Sequence, residues 1–299
     1  MLRGPVWTTI GAAKTTRTAN RASGALFPGR GHEIQSAETI RQPGHLDLSD
    51  LTLSAVICVH NEEETLADCL ERLTFADEIV VVLDGCTDGS KDIARRFTDR
   101  IVEGAWDIEG DRRNAAIEAA SGRWILEVDA DERVPQALAS EMAEIVRTSD
   151  YDWHLIPVDN YVGAKLVRYG WGASFGKSAY PGLFRKGAKV WGRERVHPRL
   201  VFDGQAGAPL RNRLDHYVDR NISDMIRRLD SYSSARAADL RQSGEIGTLA
   251  RNIRRLFSRF LKCYISRKGY REGPYGLLIA LCAGLYPLLS YLKARLETE

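Results

Sequence analysis

The residues best suited to chemistry form a short acidic segment, Asp129-Ala130-Asp131-Glu132, shortly after the apolar run Trp124-Ile125-Leu126. Two aspartates one residue apart can offer oxygens to a hard divalent cation, and such a cation can hold a diphosphate. An apolar run stopped by turn or functional residues reads as a buried strand. Carboxylates at the carboxyl end of such a strand sit where open α/β sheets bind ligands. A solvated acidic turn has the same composition, so the positions of the other polar segments must decide between the two.

Those segments require the same kind of element. Residues 51–59 are almost continuously apolar, as in a strand buried on both faces, and end in His60-Asn61. Leu66, Leu70 and Leu73 then share one helical face, and Asn61 and Glu64 have capping-box spacing. Residues 78–83 form a second apolar run leading into the turn-rich segment 84–90, which carries Asp84 and Asp88. Helices are predicted over 91–97, 111–120 and from Pro135 to Arg147, with a short strand at Ile101-Val102. This alternation predicts an α/β fold, a parallel Rossmann-like sheet flanked by helices. Its topology brings the loops at 60–61, 84–88 and 129–132 to one edge, where a nucleotide is the expected ligand. Neither GxGxxG nor GxxxxGK[ST] occurs, so the usual dinucleotide fingerprint and the P-loop are unsupported.

Composition narrows the function classes. Among 299 residues, 42 Lys and Arg face 40 Asp and Glu, a formal net charge of +2. That balance argues against a dedicated nucleic-acid binder. The five cysteines are scattered without a CxxC pair, which suits a reducing compartment and no zinc site. Residues 1–49 carry no acid before Glu33 and are expected to form a disordered tail outside the fold. An organelle transit peptide has the same composition.

After Tyr151 the pattern changes. Trp153, Tyr161, Tyr169, Trp171, Tyr180 and Trp191 punctuate a Gly-rich region expected to hold short strands and long loops. Residues 221–242 read as an amphipathic helix. Between Arg251 and Arg271 there are eight basic residues and no acid, with Ile253, Leu256, Phe257, Phe260, Leu261, Tyr264 and Ile265 at helical spacing. That is the pattern of a basic amphipathic helix on an anionic membrane. The 20 residues from Gly273 to Leu292 are uncharged and reach spanning length. A membrane span, an interfacial or re-entrant hairpin and a buried helix of a homodimer all satisfy this stretch. The expectation is membrane association, with the preceding basic residues placing the main domain on the cytoplasmic side.

VICVHNEEETL, VVLDGCTDGS and RRNAAIEAASGRWILEVDADERV, in that order, resemble the family 2 glycosyltransferases. The resemblance implies a GT-A fold and an inverting reaction from a nucleotide-sugar donor. It divides the chain into a transferase domain over 50–220, with a donor half to 150 and an acceptor half after it, and a helical membrane-associated region over 221–299. Weaker similarity in 182–200 and 213–225, and again in 254–276, points to bacterial lipopolysaccharide-core glucosyltransferases at the cytoplasmic face of the inner membrane. The acceptor so implied is a lipid-linked or envelope glycan.

By the same resemblance, Val59, His60, Asn61, Glu62 and Asp84 hold the nucleotide, and Arg113 and Asn114 lie near the donor. Asp129 contacts the donor as well, and with Asp131 it forms a DxD motif for Mg2+ or Mn2+. Two positions depart from the family pattern. Leu83 replaces an Asp and Cys86 a Ser in the second loop, and VHE becomes Val196-His197-Pro198. Inversion needs a base for the acceptor hydroxyl and a cation for the leaving diphosphate. Glu194, His197 and Asp215 are the candidates for catalysis, with His197 also a candidate metal ligand. Two alternatives stand beside this reading: transfer to polyprenyl phosphate, and a non-catalytic envelope scaffold with the same fold.

Overall fold

The computed structural model describes residues 52–172, 176–194 and 198–297. The expected tail over 1–49 and the candidate His197 lie outside the described residues.

Four parallel strands form the first half of the sheet: β1 (Leu53–Val59), β2 (Glu78–Asp84), β3 (Ile101–Gly104) and β4 (Trp124–Asp129), in the order β3-β2-β1-β4. Alternation sends their apolar residues to both faces. Ala55, Ile57 and Val59 of β1 join Leu126 and Val128 of β4 in one core, while Val56 and Ile125 join the other. The first core packs α1 (Leu66–Glu71) and α4 (Gln136–Thr148), and the second packs α3 (Glu109–Ala119). Both faces are therefore dry, and each fully buried Leu or Ile contributes roughly 1.5–3 kcal/mol. The short α2 (Ser90–Ala94) follows the second loop.

The sheet does not stop at residue 150. Beyond β4 it continues through β8 (Ala179–Arg185), β6 (Trp153–Val162), β11 (Leu214–Asp219) and β5 (Glu132–Arg133), now mostly antiparallel. β6 and β11 are the parallel pair in this half, and β7 (Lys165–Val167) pairs with β6. β9 (Lys189–Trp191) and β10 (Leu200–Phe202) form a separate ribbon. The parallel sheet expected for the donor half is present, and the strands beyond β4 extend it into a mixed sheet.

The expected capping box is also corrected. Asn61 sits at φ 56° and its Oδ1 accepts a hydrogen bond from the Thr87 amide at 2.7 Å. It ties the first loop to the second instead of capping a helix. Residues 62–65 make a tight turn, Thr65 N donating to Glu62 O at 3.0 Å, and α1 begins only at Leu66.

Three helices close the chain: α5 (Ile222–Ser243), α6 (Leu249–Leu261) and α7 (Pro274–Leu296). Asn221 caps α5 by accepting from Asp224 N at 2.9 Å, and Gly244 ends it at φ 70°. The basic helix expected over 251–271 is broken: a π turn at Lys262–Ser266 and a 3-10 turn at Gly269–Glu272 follow α6. α7 is long and apolar enough to cross a membrane. Ile279, Ala280 and Ala283 are nevertheless fully buried, in a core shared with Met225 and Leu229 of α5 and with Val162, Val167 and Trp171.

Candidate active site

The three predicted loops meet at the carboxyl edge of the parallel strands, because β1, β2 and β4 are neighbours in register. Val59 contributes only backbone there, its side chain being fully buried. His60 Nδ1 contacts the Asp84 carbonyl oxygen. Asp84 is tied down on both oxygens, accepting from Trp106 N at 2.9 Å and from Arg112 Nη1 at 2.9 Å.

Glu62 lies between these loops and the acidic segment. Its amide donates to Ser90 Oγ at 2.9 Å. Burial, and after it the charge of Asp131, push its carboxyl up to about 7. The native protein therefore binds this proton more tightly than the unfolded chain does. Stability is lost as pH rises from the ordinary carboxylate range through that value. Glu62→Gln is expected to raise the melting temperature at pH 8 relative to the parent and to leave it nearly unchanged at pH 5. An equal shift at both pH values, by thermal denaturation, counts against that environment.

Below the edge lies a buried charge network. Arg113 is fully enclosed and reaches Glu109 at 2.9 Å, Glu127 at 2.7 Å and Asp129 at 3.1 Å, with the Trp191 ring centroid 4.8 Å away. Lys189 Nζ also pairs with Glu127, and Lys177 Nζ lies 3.3 Å from Asp129 and pairs with Glu132. Burial alone would raise the Asp129 carboxyl; Arg113 and Lys177 outweigh it and hold that group well below the usual carboxylate range. Both Asp129 oxygens are thus engaged by protein cations. Asn114 is engaged too, its side chain clasping the Trp191 backbone in both directions at 2.9 Å. It positions β9.

Asp131 is different. Its Oδ2 lies 3.3 Å from His216 Nε2, and its Oδ1 is buried with no hydrogen-bond partner among the described residues. His216 is oriented from behind by Asn160, whose Oδ1 is 3.0 Å from His216 Nδ1. A carboxylate oxygen without a donor, beside an imidazole nitrogen, suits Mg2+ or Mn2+. Among the described residues no three His, Cys, Asp or Glu side chains form a preformed cage. That fits a cation held by one or two side chains and completed by substrate phosphate.

Sequence reasoning missed His216 by one position. In β11, Asp215 pairs in register with Asp159 and His216 with Asn160. Adjacent strand residues face opposite sides, so Asp215 turns away from Asp131. Its carboxyl is raised by burial and then by Asp159, and it bonds Tyr161. Glu194 is corrected as well. It is half-buried and paired with Arg199 at 2.7 Å, which pushes its carboxyl down to about 2, far from the neutral range that suits a general base. Alternation along RLDHYVDR carried the signal for His216; Lys177, in a Gly-rich connection, had none.

The chain is similar to several known proteins. Residues 54–183 match the family model described as glycosyl transferase family 2. The lipopolysaccharide core biosynthesis glycosyltransferase LpsC of Rhizobium meliloti is 27% identical over 259 residues, covering 81% of this chain and 92% of that protein. An uncharacterized glycosyltransferase of Rickettsia typhi is 22% identical over 259 residues, covering 81% of this chain and 86% of that one. Among solved structures, Staphylococcus aureus TarS 1-349 aligns with TM-score 0.43 at 12% identity, over 83% of this chain and 76% of that one. Glucosyl-3-phosphoglycerate synthase from Mycobacterium tuberculosis, in complex with Mn2+ and UDP-glucose, aligns with TM-score 0.32 at 20% identity, over 40% and 50% of the two chains. The chain carries a family 2 glycosyltransferase domain and is a glycosyltransferase resembling the lipopolysaccharide-core enzymes.

Proposed function

We propose that the chain transfers a hexose, with inversion, from a nucleotide sugar to a lipid-linked or envelope glycan acceptor of the lipopolysaccharide-core kind, at the cytoplasmic face of the inner membrane. The observation that carries this reading is Asp131, with its unpartnered buried oxygen beside His216 at the end of β4. The kinship to LpsC supports the acceptor class.

In this reading Asp131 and His216 hold Mg2+ or Mn2+. Such a cation would supply positive charge to the leaving diphosphate. Asp129 is neutralised by Arg113 and Lys177, so it keeps the segment in shape and limits negative charge facing the donor. The Asn61–Thr87 bond joins the two loops that would enclose the base and ribose. The Asp84–Arg112 pair fixes the second of them. Because Leu83 and Cys86 alter that loop, the base recognised is open to test.

The test is release of nucleoside diphosphate by purified protein across a panel of sugar nucleotides with Mn2+, with mass measurement of the acceptor. Transfer to a core oligosaccharide acceptor is expected. Product on polyprenyl phosphate would replace the acceptor class, and no donor binding or turnover, with or without lipid, would overturn the assignment.

A further inference from the structure

Among the described residues, the bundle of α5, α6 and α7 leaves an apolar surface exposed. Along α6, Leu249, Ile253, Phe257 and Leu261 recur every four residues and are 46%, 41%, 60% and 49% exposed. Ile265 continues the row beyond the helix end and is also exposed. The other side of α6 is already used. Leu256 and Phe260 pack against α7, where a Cβ on Gly284 would come within 2.8 Å of the Leu256 carbonyl oxygen. α7 adds exposed Leu277 and Leu281, with half-buried Leu285, Leu288 and Leu292 on the same helical face. The face that sequence spacing treats as one stripe is therefore two: an inner half that builds the bundle, and an outer half left exposed among the described residues.

From Arg251 to Arg271 the charge has one sign. None of the eight basic residues from Arg251 to Arg271 has an ion-pair partner among the described residues, and no acid lies between them. Arg251, Arg254, Lys262, Lys268 and Arg271 are exposed. Arg255 and Arg259 are held below the ordinary guanidinium range by burial and by neighbouring arginines, Arg236 among them. The same surface is apolar along its middle and cationic along its rim, which complements an anionic lipid headgroup layer. It does not complement a second copy of itself, since two such faces would bring their arginines together.

We propose that the protein docks monotopically on an anionic bilayer, with α6 lying in the headgroup plane and Phe257 and Leu261 entering the acyl boundary. In this arrangement α7 stays in the protein as the core of the bundle. Its burial against α5 and α6 argues for that, as do Lys293 Nζ bonded to Asp230 Oδ1 at 2.6 Å and Ser234 Oγ at 2.7 Å, and Arg241 Nη1 bonded to the Lys293 carbonyl at 3.2 Å. A spanning α7 would have to abandon all of these contacts. The proposal deepens the lipid-linked acceptor of the proposed function, and rests on it for its role, by naming the surface that meets the lipid.

The test is co-sedimentation of the full chain with vesicles of phosphatidylcholine alone and of phosphatidylcholine mixed with phosphatidylglycerol. Binding to the anionic vesicles is expected to be at least about tenfold tighter, to weaken with salt and to be released by carbonate at high pH. Phe257→Ser with Leu261→Ser is expected to lower it about tenfold or more. Both side chains point out of the bundle, so the double variant should keep its melting temperature and its turnover on a soluble acceptor. Arg251→Glu with Arg254→Glu, a second variant, should abolish the preference for anionic lipid. Equal binding to both vesicle types overturns the proposal, as does resistance to carbonate extraction, which would mean that α7 spans. So does a dimer that the serine variant dissolves without any lipid binding. Vesicle binding by a protein that transfers no sugar would leave this inference standing and defeat the proposed function.

Discussion

Asp131→Ala is expected to lower sugar transfer by two to three orders of magnitude while leaving the fold as stable as the parent or slightly more so. The two halves of that expectation come from one geometry. Asp131 has a buried oxygen with no hydrogen-bond partner among the described residues, and its other oxygen has His216 alone. The side chain is only partly buried, 29% exposed, and its enclosed oxygen gains no hydrogen bond, so removing the carboxylate takes little stability away. If it holds the cation that stabilises the leaving diphosphate, its loss removes about 3–4 kcal/mol of transition-state stabilisation. Thermal stabilisation by Mn2+ with nucleoside diphosphate should vanish in the same variant, which separates loss of binding from loss of structure. Turnover within about tenfold of the parent would remove Asp131 from the mechanism. His216→Ala should reduce Mn2+ stabilisation less completely, because Asp131 then remains as a ligand.

Arg113→Met is expected to have the largest effect on the fold. The guanidinium bridges Glu109, Glu127 and Asp129, and its side chain is 2% exposed. Lys189 and Lys177 remain for Glu127 and Asp129, but neither can span the three carboxylates as the planar fork does. Removing one partner from such a buried network costs about 3–5 kcal/mol, read as a lower urea midpoint. Arg113→Lys should recover only part of that, and adding Glu127→Gln to Arg113→Met should restore some stability by deleting an uncompensated charge.

The pH dependence follows with a definite sign. Burial would raise the Glu127 and Asp129 carboxyls, yet their cationic neighbours hold both below the usual range. Groups held low stabilise the native state above the ordinary carboxylate pKa of about 4, and that stabilisation is lost as pH falls through the native value. The deficit of Arg113→Met should therefore shrink in acid. A deficit that stays constant from neutral pH to about pH 3 would mean that packing, not charge, dominates at this position.

Much of the donor half was legible before any coordinates. Strands buried on both faces are apolar runs bounded by polar turns, and residues 53–59, 78–84 and 124–129 have that form. Their alternation with helices implies parallel pairing, and parallel pairing brings the three loops to one edge. Local pattern was enough because each of these features is encoded within a dozen residues. The amphipathic helix expected over 221–242 was legible for the same reason, and α5 spans Ile222–Ser243.

What local pattern could not encode is which side chains are already occupied. Asn61 has the spacing of a cap and is recruited by Thr87, 26 residues away. Asn114 and Arg113 are adjacent, yet one clasps the Trp191 backbone and the other the carboxylates beneath the edge. Asp215 and His216 differ by one residue and face opposite sides of a strand whose register is set by β6. The outer row of α6 is distinguishable from its inner row only once α7 has covered Leu256 and Phe260. By itself, then, the sequence determined the parallel half-sheet, the edge to which its acidic loops converge and the basic, apolar character of the C-terminal helices. Tertiary structure decided that Asp131 keeps a carboxylate oxygen unpaired while Asp129 does not. It also decided that His216 is the imidazole beside Asp131, and that one face of α7 is buried in the bundle. The physical reason is common to all three. Hydrogen bonds and ion pairs are shared among residues far apart in the chain, and a group is left available only where its neighbours in space, not in sequence, have no claim on it.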